Sequence, residues 1–228
     1  MLELAPIILK ITVWALPLIF AVTLHEAAHG YAALALGDDT ARRLGRLSLN
    51  PLRHVDPFGT LVLPAILLAV GGVVFGWAKP VPVNFAKLKG RGLGMVAVAA
   101  AGPAINVGLA TLAVALSGLV PLVPGGGQDW LRANLSNALY INLLLAVFNM
   151  LPVPPLDGGR VVAGLLPRVL AVRWARLERF GLLIILAALF LLPVVGQMIG
   201  VPLDLFAWLV KGPVSWLASL ILHVARPW

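Results

Sequence analysis

No cysteine occurs among the 228 residues. A disulfide framework, a thiolate metal site and a cysteine nucleophile are therefore excluded, and any metal must be held by His, Asp or Glu. Charge is also scarce, at 11% of residues, where an average globular domain has about 25%. Acidic groups number only nine and histidines four, so each one is informative. Internal repeats, Ser-rich linkers and low-complexity tails are missing too, which points to one integral-membrane domain over residues 1–228 with no appended soluble module. The opening MLELAPIILK places Glu3 before any base and is followed by no small-residue cleavage site, so it does not read as a removable signal peptide.

Apolar residues make up 61% of the chain, and the mean hydropathy is +0.99. That composition excludes a soluble globular protein and assigns most of the mass to the lipid bilayer. Seventeen Lys and Arg give a net charge of +8. On a soluble chain this would suggest nucleic acid, but here the bases occupy short gaps between apolar runs. Anionic lipid and chain orientation account for them, and no nucleic-acid partner is expected.

A membrane helix needs about 20 mostly apolar residues. Runs of that kind cover residues 6–36, 58–77, 93–119, 131–151, 180–199 and 201–224. The first is one long helix or one bent at Pro17; the last, interrupted by Lys211, Gly212 and Pro213, is a kinked span or two interfacial pieces. The second carries Pro64 and Gly71-Gly72. Bases fill both gaps that flank it, with Arg42, Arg43, Arg46 and Arg53 on one side and Lys79, Lys87, Lys89 and Arg91 on the other, whereas residues 121–130 contain none. Positive residues stay on the cytoplasmic side, so the second run is expected to re-enter rather than cross. Pro80 and Pro82 then force the following GWAKPVPVN stretch into an extended form. The fold class expected is an all-α polytopic membrane protein of about five to six transmembrane helices, with a re-entrant or β-hairpin-like segment near residues 58–84.

The chemistry begins at LHEAAHG, residues 24–30. On a helix His25 and His29, four residues apart, project from one face with Glu26 beside them. This is the HExxH arrangement, in which two imidazole nitrogens hold Zn²⁺ and the carboxylate takes a proton from the attacking water. From this chain's own composition the pattern is expected by chance roughly once in a thousand such sequences. An ionisable cluster at membrane depth costs several kcal/mol unless paired or metal-bound. A third protein ligand is still required. Asp38, Asp39 and Asp56 lie in basic gaps, Asp129 and Asp204 at the opposite, non-basic edges, and Glu178 between Arg176 and Arg179. Asp157 remains, in NMLPVPPLDGGR, where three prolines unwind the chain and Gly158-Gly159 permit a tight turn.

LHEAAHG, AGPAIN at residues 101–106 and NMLPVPPLDGG at residues 149–159 together resemble the three motifs of the site-2 proteases, the intramembrane zinc metalloproteases, in that family's order. The resemblance covers nearly the whole chain, and GRLSLNPLRHVDPFGT and GWAKPVPVN are similar to the short branch without a PDZ domain. It implies one zinc ion per chain bound by His25, His29 and Asp157, Glu26 as general base, Asn149 as a candidate for holding substrate or oxyanion, and Asn106 as a polar contact near the site.

Read on their own chemistry, both asparagines keep a second role. Asn149 either donates to a developing oxyanion or joins two helices, and Asn106, within a small-residue stretch, is packing glue first and a site residue second. His54 in its Arg-rich loop is a surface or interface residue rather than a ligand, and His223 is interfacial. A substrate helix must unwind before its carbonyls can be attacked. The extended segment, through Trp77, Val81 and Val83, is either the strand that receives the unwound substrate or a plain structural hairpin. The function expected is hydrolysis of a peptide bond in or near the transmembrane helix of a single-span membrane protein, with the active site toward the cytoplasmic side. Two other readings are a metal-binding membrane transporter, which leaves Glu26 unexplained, and a CAAX-type HExxH membrane protease, for which Glu178 would have to be the third ligand.

Overall fold

A computed structural model of the chain describes residues 4–62, 66 and 78–225. Among the described residues every regular element is helical and there is no strand. Helix α1, Leu4–Ala35, takes in the whole first apolar run and carries Pro17 inside it, so the run is one long helix. It stops where Gly37 turns the chain at φ +100°, a conformation glycine accepts without strain. Helices α2, Gly92–Ser117, and α3, Gly127–Asn149, match the third and fourth runs.

Among the described residues four helical stretches are long and apolar enough to cross a membrane: Ile11–Ala35, Gly92–Ser117, Gly127–Asn149 and Ala207–Val224. Their large side chains are turned outward, with Phe20 on α1 62% exposed and Trp208 78% exposed. Water would not tolerate such a surface, whereas lipid tails solvate it. The protein is an integral membrane protein.

Helices α1, α2 and α3 pack on one another as the central bundle. The Trp130 indole of α3 donates to Thr12 Oγ1 of α1, and Asn137 Nδ2 to Val13 O, so these two helices run parallel. His29 near the end of α1 meets Val98 near the start of α2, which makes α2 antiparallel to both. The C-terminal ends of α1 and α3 and the N-terminal end of α2 therefore lie at one end of the bundle.

At that end α4, Asp157–Leu165, packs against α2. The contact requires two glycines: a Cβ on Gly92 would fall 2.3 Å from Gly164 O, and one on Gly164 would fall 2.6 Å from Gly92 O. Helix α5, Arg168–Ala175, follows, and its Trp174 indole donates to Gly159 O of α4.

Two prolines reshape the C-terminal part. Helices α6, Glu178–Leu186, and α7, Leu192–Ile199, are joined by the wider-turned Ala187–Leu191, and α8, Gly212–Val224, is preceded by the similar Ala207–Lys211. Pro193 and Pro213 each follow as the second residue of the next helix. A missing N–H there removes a ladder bond, which the widened turn accommodates. Arg168–Gly181 and Leu183–Ile199, the latter in the fifth run, meet at a bend of 59°, a broken span or a re-entrant loop, so the candidate spans among the described residues number four, or five with this pair. In the last run Ala207–Val224 is continuous and long and apolar enough to cross a membrane as one kinked span. Of the second run, Pro57–Val62 forms one widened helical turn. Residues 63–65 and 67–77, and with them most of the expected re-entrant segment and Trp77, lie outside the described residues.

Candidate metal centre

Two helices deliver three metal-type ligands to one point. His25 and His29, one turn apart on α1, stand edge to face with ring centroids 4.7 Å apart. Asp157, the first residue of α4, reaches between them. Its Oδ2 lies 3.2 Å from each Nε2, and the two Nε2 atoms are 3.1 Å apart. All three residues are buried, and among the described residues they are the cluster able to hold a metal ion. Four ligands around zinc at 2.0–2.1 Å stand about 3.3 Å from one another, close to these separations.

Proton positions decide what this cluster can hold. His29 Nδ1 lies 2.7 Å from Val98 O, an atom that can only accept, so Nδ1 carries the hydrogen. His25 Nδ1 lies 2.5 Å from Asn106 Oδ1, likewise an acceptor. Neutral imidazoles so arranged present bare Nε2 lone pairs, and Asp157 Oδ2 is buried with no hydrogen-bond partner of its own. Three lone pairs facing one another in a buried site repel unless a cation lies among them, and Zn²⁺ satisfies all three. The backbone leaves room for it. A Cβ on Gly102 of α2 would sit 2.5 Å from His29 Nε2 and 2.7 Å from His25 Nε2. The residues present thus fit zinc.

Glu26 is half-buried beside this cluster, and its Oε2 accepts the Val81 N–H at 2.8 Å. A cavity of about 260 Å³ opens between the two histidines, Glu26 and Asp157 on α1 and α4 and the non-helical residues Ala78, Pro80, Val81, Val83 and Phe85, with Asn149 and Arg160 also lining it. The Arg160 guanidinium lies 3.8 Å from Asp157 Oδ1 and over the Phe85 ring. Asn149 donates one amide hydrogen to Leu145 O of its own helix, leaving the second for the cavity. Asn106 is fully buried and touches His25, Ala21 and Asn142.

The segment that closes the cavity is pinned along its length. Lys79 N–H donates to His54 O, Val81 N–H to Glu26 and Asn84 N–H to Asp38 Oδ2, while Arg46 donates to the carbonyls of Lys79 and Pro80. Asp38 is buried just beyond α1. Burial pushes its carboxyl up, but the Thr40 hydroxyl, the N–H groups of Asn84 and Thr40 and the nearby Lys87 outweigh this and hold it below the ordinary carboxylate range. His54 is buried, with Nε2 on Ser48 O, and stands apart from the metal cluster. Glu178 is exposed and also outside the cluster, so a CAAX-type ligand set is not assembled here. The sequence alone did not single out Asn142, Arg46 or Gly102 as parts of the site. An amide at membrane depth on α3 was the one available signal for Asn142.

Residues 127–192 match the sequence model of peptidase family M50. The chain is 40% identical over 183 residues to the Bacillus subtilis protein named “Putative zinc metalloprotease YwhC”, covering 77% of this chain and 78% of that one. It is 32% identical over 210 residues to the Mycobacterium tuberculosis (H37Rv) protein named “Putative zinc metalloprotease Rip2”, covering 91% and 77% respectively. A Mycolicibacterium smegmatis protein of the same name is 32% identical over 143 residues, covering 61% and 52%. No solved structure matches the chain at a significant level.

Proposed function

The chain belongs to peptidase family M50, the site-2 protease family, and is a zinc metalloprotease; from that premise we propose that it is an intramembrane endopeptidase. Its substrate is a single-span membrane protein, cut in or beside the transmembrane helix as a step of regulated intramembrane proteolysis. One observation carries the reading. The buried ligand set lies within the bundle, His29 being six residues before the end of α1 at Ala35 and hence about 9 Å inside it at 1.5 Å per residue. A scissile bond must enter the membrane to reach it.

His25, His29 and Asp157 would hold one zinc ion. Bound there, it would supply Lewis acidity toward the scissile carbonyl and the attacking water near neutral pH. Glu26 acts as general base and then general acid, taking a proton from the attacking water and returning it to the leaving amine. The Val81 N–H fixes Glu26 Oε2, so Oε1 is the oxygen left to carry that proton. Asn149, with one amide hydrogen uncommitted, donates to the oxygen on which negative charge develops.

The extended segment receives the unwound substrate. Successive residues of an extended chain direct their N–H and C=O groups to opposite edges. Pro80 and Pro82 deprive one edge of donors. Val81 and Val83 lie on the other edge; the Val81 N–H is taken by Glu26, which marks that edge as the one facing the cavity and leaves the Val81 carbonyl and the Val83 backbone to pair with an added strand. Bases gather at the end of the bundle that bears the ligands, in the gaps around residues 42–53, 79–91 and 160–179, which supports a cytoplasmic location for the site.

The test is cleavage of a single-span substrate in proteoliposomes. Glu26→Gln is expected to retain stoichiometric zinc and to lose cleavage by a factor of about 10²–10⁴. Undiminished cleavage by that variant, or ion flux without cleavage by the unaltered protein, would overturn the reading.

A further inference from the structure

Asn142 has no part in the mechanism above, yet it is buried in a membrane span with a fully directed set of hydrogen bonds. It is 3% exposed and lies on α3, while Asn106, at 0%, lies on α2. Asn142 Nδ2 donates to Ala138 O at 2.8 Å, which leaves Oδ1 as the atom 2.7 Å from Asn106 Nδ2. Asn106 Nδ2 also donates to Ala21 O at 3.3 Å, so its Oδ1 is the atom 2.5 Å from His25 Nδ1. Backbone carbonyls can only accept. Those of Ala138 and Ala21 therefore fix how both amides are turned, and the direction runs without a break from α3 through α2 to the imidazole on α1.

We propose that Asn142 is a positioning residue of the metal centre: acting through Asn106, it compels His25 to carry its hydrogen on Nδ1 and to present a bare Nε2 toward Asp157 and His29. The inference rests on the reading that His25 is a zinc ligand.

The other histidine supplies the contrast. His29 Nδ1 is held by Val98 O, a backbone atom that no side-chain substitution removes. His25 has a side-chain oxygen in that place, and an amide can rotate and offer its NH₂ instead. With Asn106 turned round, Nδ1 of His25 would have to accept, its hydrogen would move to Nε2, and the lone pair facing Asp157 would be lost. The Ala21 carbonyl opposes that rotation at 3.3 Å, and the shorter contact to Asn142 opposes it more strongly. Hydrogen-bond partners behind a ligating histidine govern its tautomer and orientation, and losing one lowers metal affinity about 10- to 100-fold.

Asn134, on the same helix, gives an internal control. It is buried too, but its amide donates only to Trp130 O of its own helix among the hydrogen bonds it makes through Nδ2. Zinc affinity is measured by chelator competition on the full chain in detergent, with the melting temperature of the zinc-free protein recorded beside it. Asn142→Leu is expected to weaken zinc binding at least 10-fold, and Asn134→Leu to leave it within about twofold. Because Asn142 acts through Asn106, the double variant Asn106→Leu with Asn142→Leu should bind zinc no more weakly than Asn106→Leu alone. If Asn142→Leu does not accumulate, Asn142→Ser, too short to span to Asn106, should show the same loss. Zinc affinity unchanged in the Asn142 variant, an equal loss in the Asn134 variant, or additive losses in the double variant would each overturn the proposal. His25→Ala bears on the underlying reading: full zinc binding by that variant would remove His25 from the ligand set altogether.

Discussion

Position 102 illustrates how little separates a helix contact from a metal site. A methyl group there would approach His29 Nε2 to 2.5 Å and the His25 ring to 2.7 Å. Neither ring can swing away, because Val98 O holds one and Asn106 holds the other. In an ordinary helix interior Gly→Ala gains about 0.5–1 kcal/mol. Here overpacking against fixed rings costs about 1–3 kcal/mol and falls on the ligand atoms themselves. Gly102→Ala is therefore expected to keep the helical circular dichroism spectrum and lose most of the zinc, which metal analysis of the purified protein measures; full zinc content would show that the rings can move after all. The sequence carried the chemistry of His25, Glu26, His29 and Asp157, because HExxH needs only helical periodicity to bring its residues together and the other weighed carboxylates could be set aside by basic neighbours or, for Asp129 and Asp204, by lying at the opposite edges. It did not carry Gly102 or Asn142, whose importance comes from which helix faces which. Asn106 was legible as a polar residue in a small-residue stretch, but not as the partner of a particular imidazole nitrogen.

Whole elements were more legible where one physical cause dominates. Runs 93–119 and 131–151 became α2 and α3 with ends shifted by a few residues, since length and hydropathy alone define a span. Prolines were harder to read, because bilayer helices absorb them in different ways: Pro17 and Pro103 sit inside continuous helices, while Pro193 and Pro213 follow widened turns. The junction between α1 and the extended segment depends on Asp38, which in the sequence was only one of three acids in basic gaps. Its folded-state pKa is lowered, so its contribution is complete above the ordinary carboxylate value of about 3.9 and is lost as pH falls through the lowered one. Thermal melting in detergent should therefore show a penalty for Asp38→Asn that stays constant from pH 7 to about pH 5 and shrinks below about pH 4, as the unaltered protein loses the same charge. A penalty that grew on acidification would contradict the hydrogen-bonded carboxylate.

At the scale of the molecule, the absence of cysteine makes sidedness directly measurable, since any introduced thiol is unique. The parallel pairing of α1 with α3 and the antiparallel α2 put the ligand-bearing helix ends together, and Lys89 N–H donates to Leu36 O at that same end. The base-free connection around residues 118–126 lies at the other. The positive-inside rule then predicts which end faces which compartment. Lys89→Cys and Arg168→Cys should react with a membrane-impermeant maleimide only after the cells are permeabilised, whereas Gly125→Cys should react in intact cells. Reversal of all three would move the metal centre to the outer face while leaving its geometry intact. A split between Lys89 and Arg168 would be more damaging, for it would separate the start of α2 from the helices that follow Asp157, and the two histidines and the aspartate could no longer share one ion.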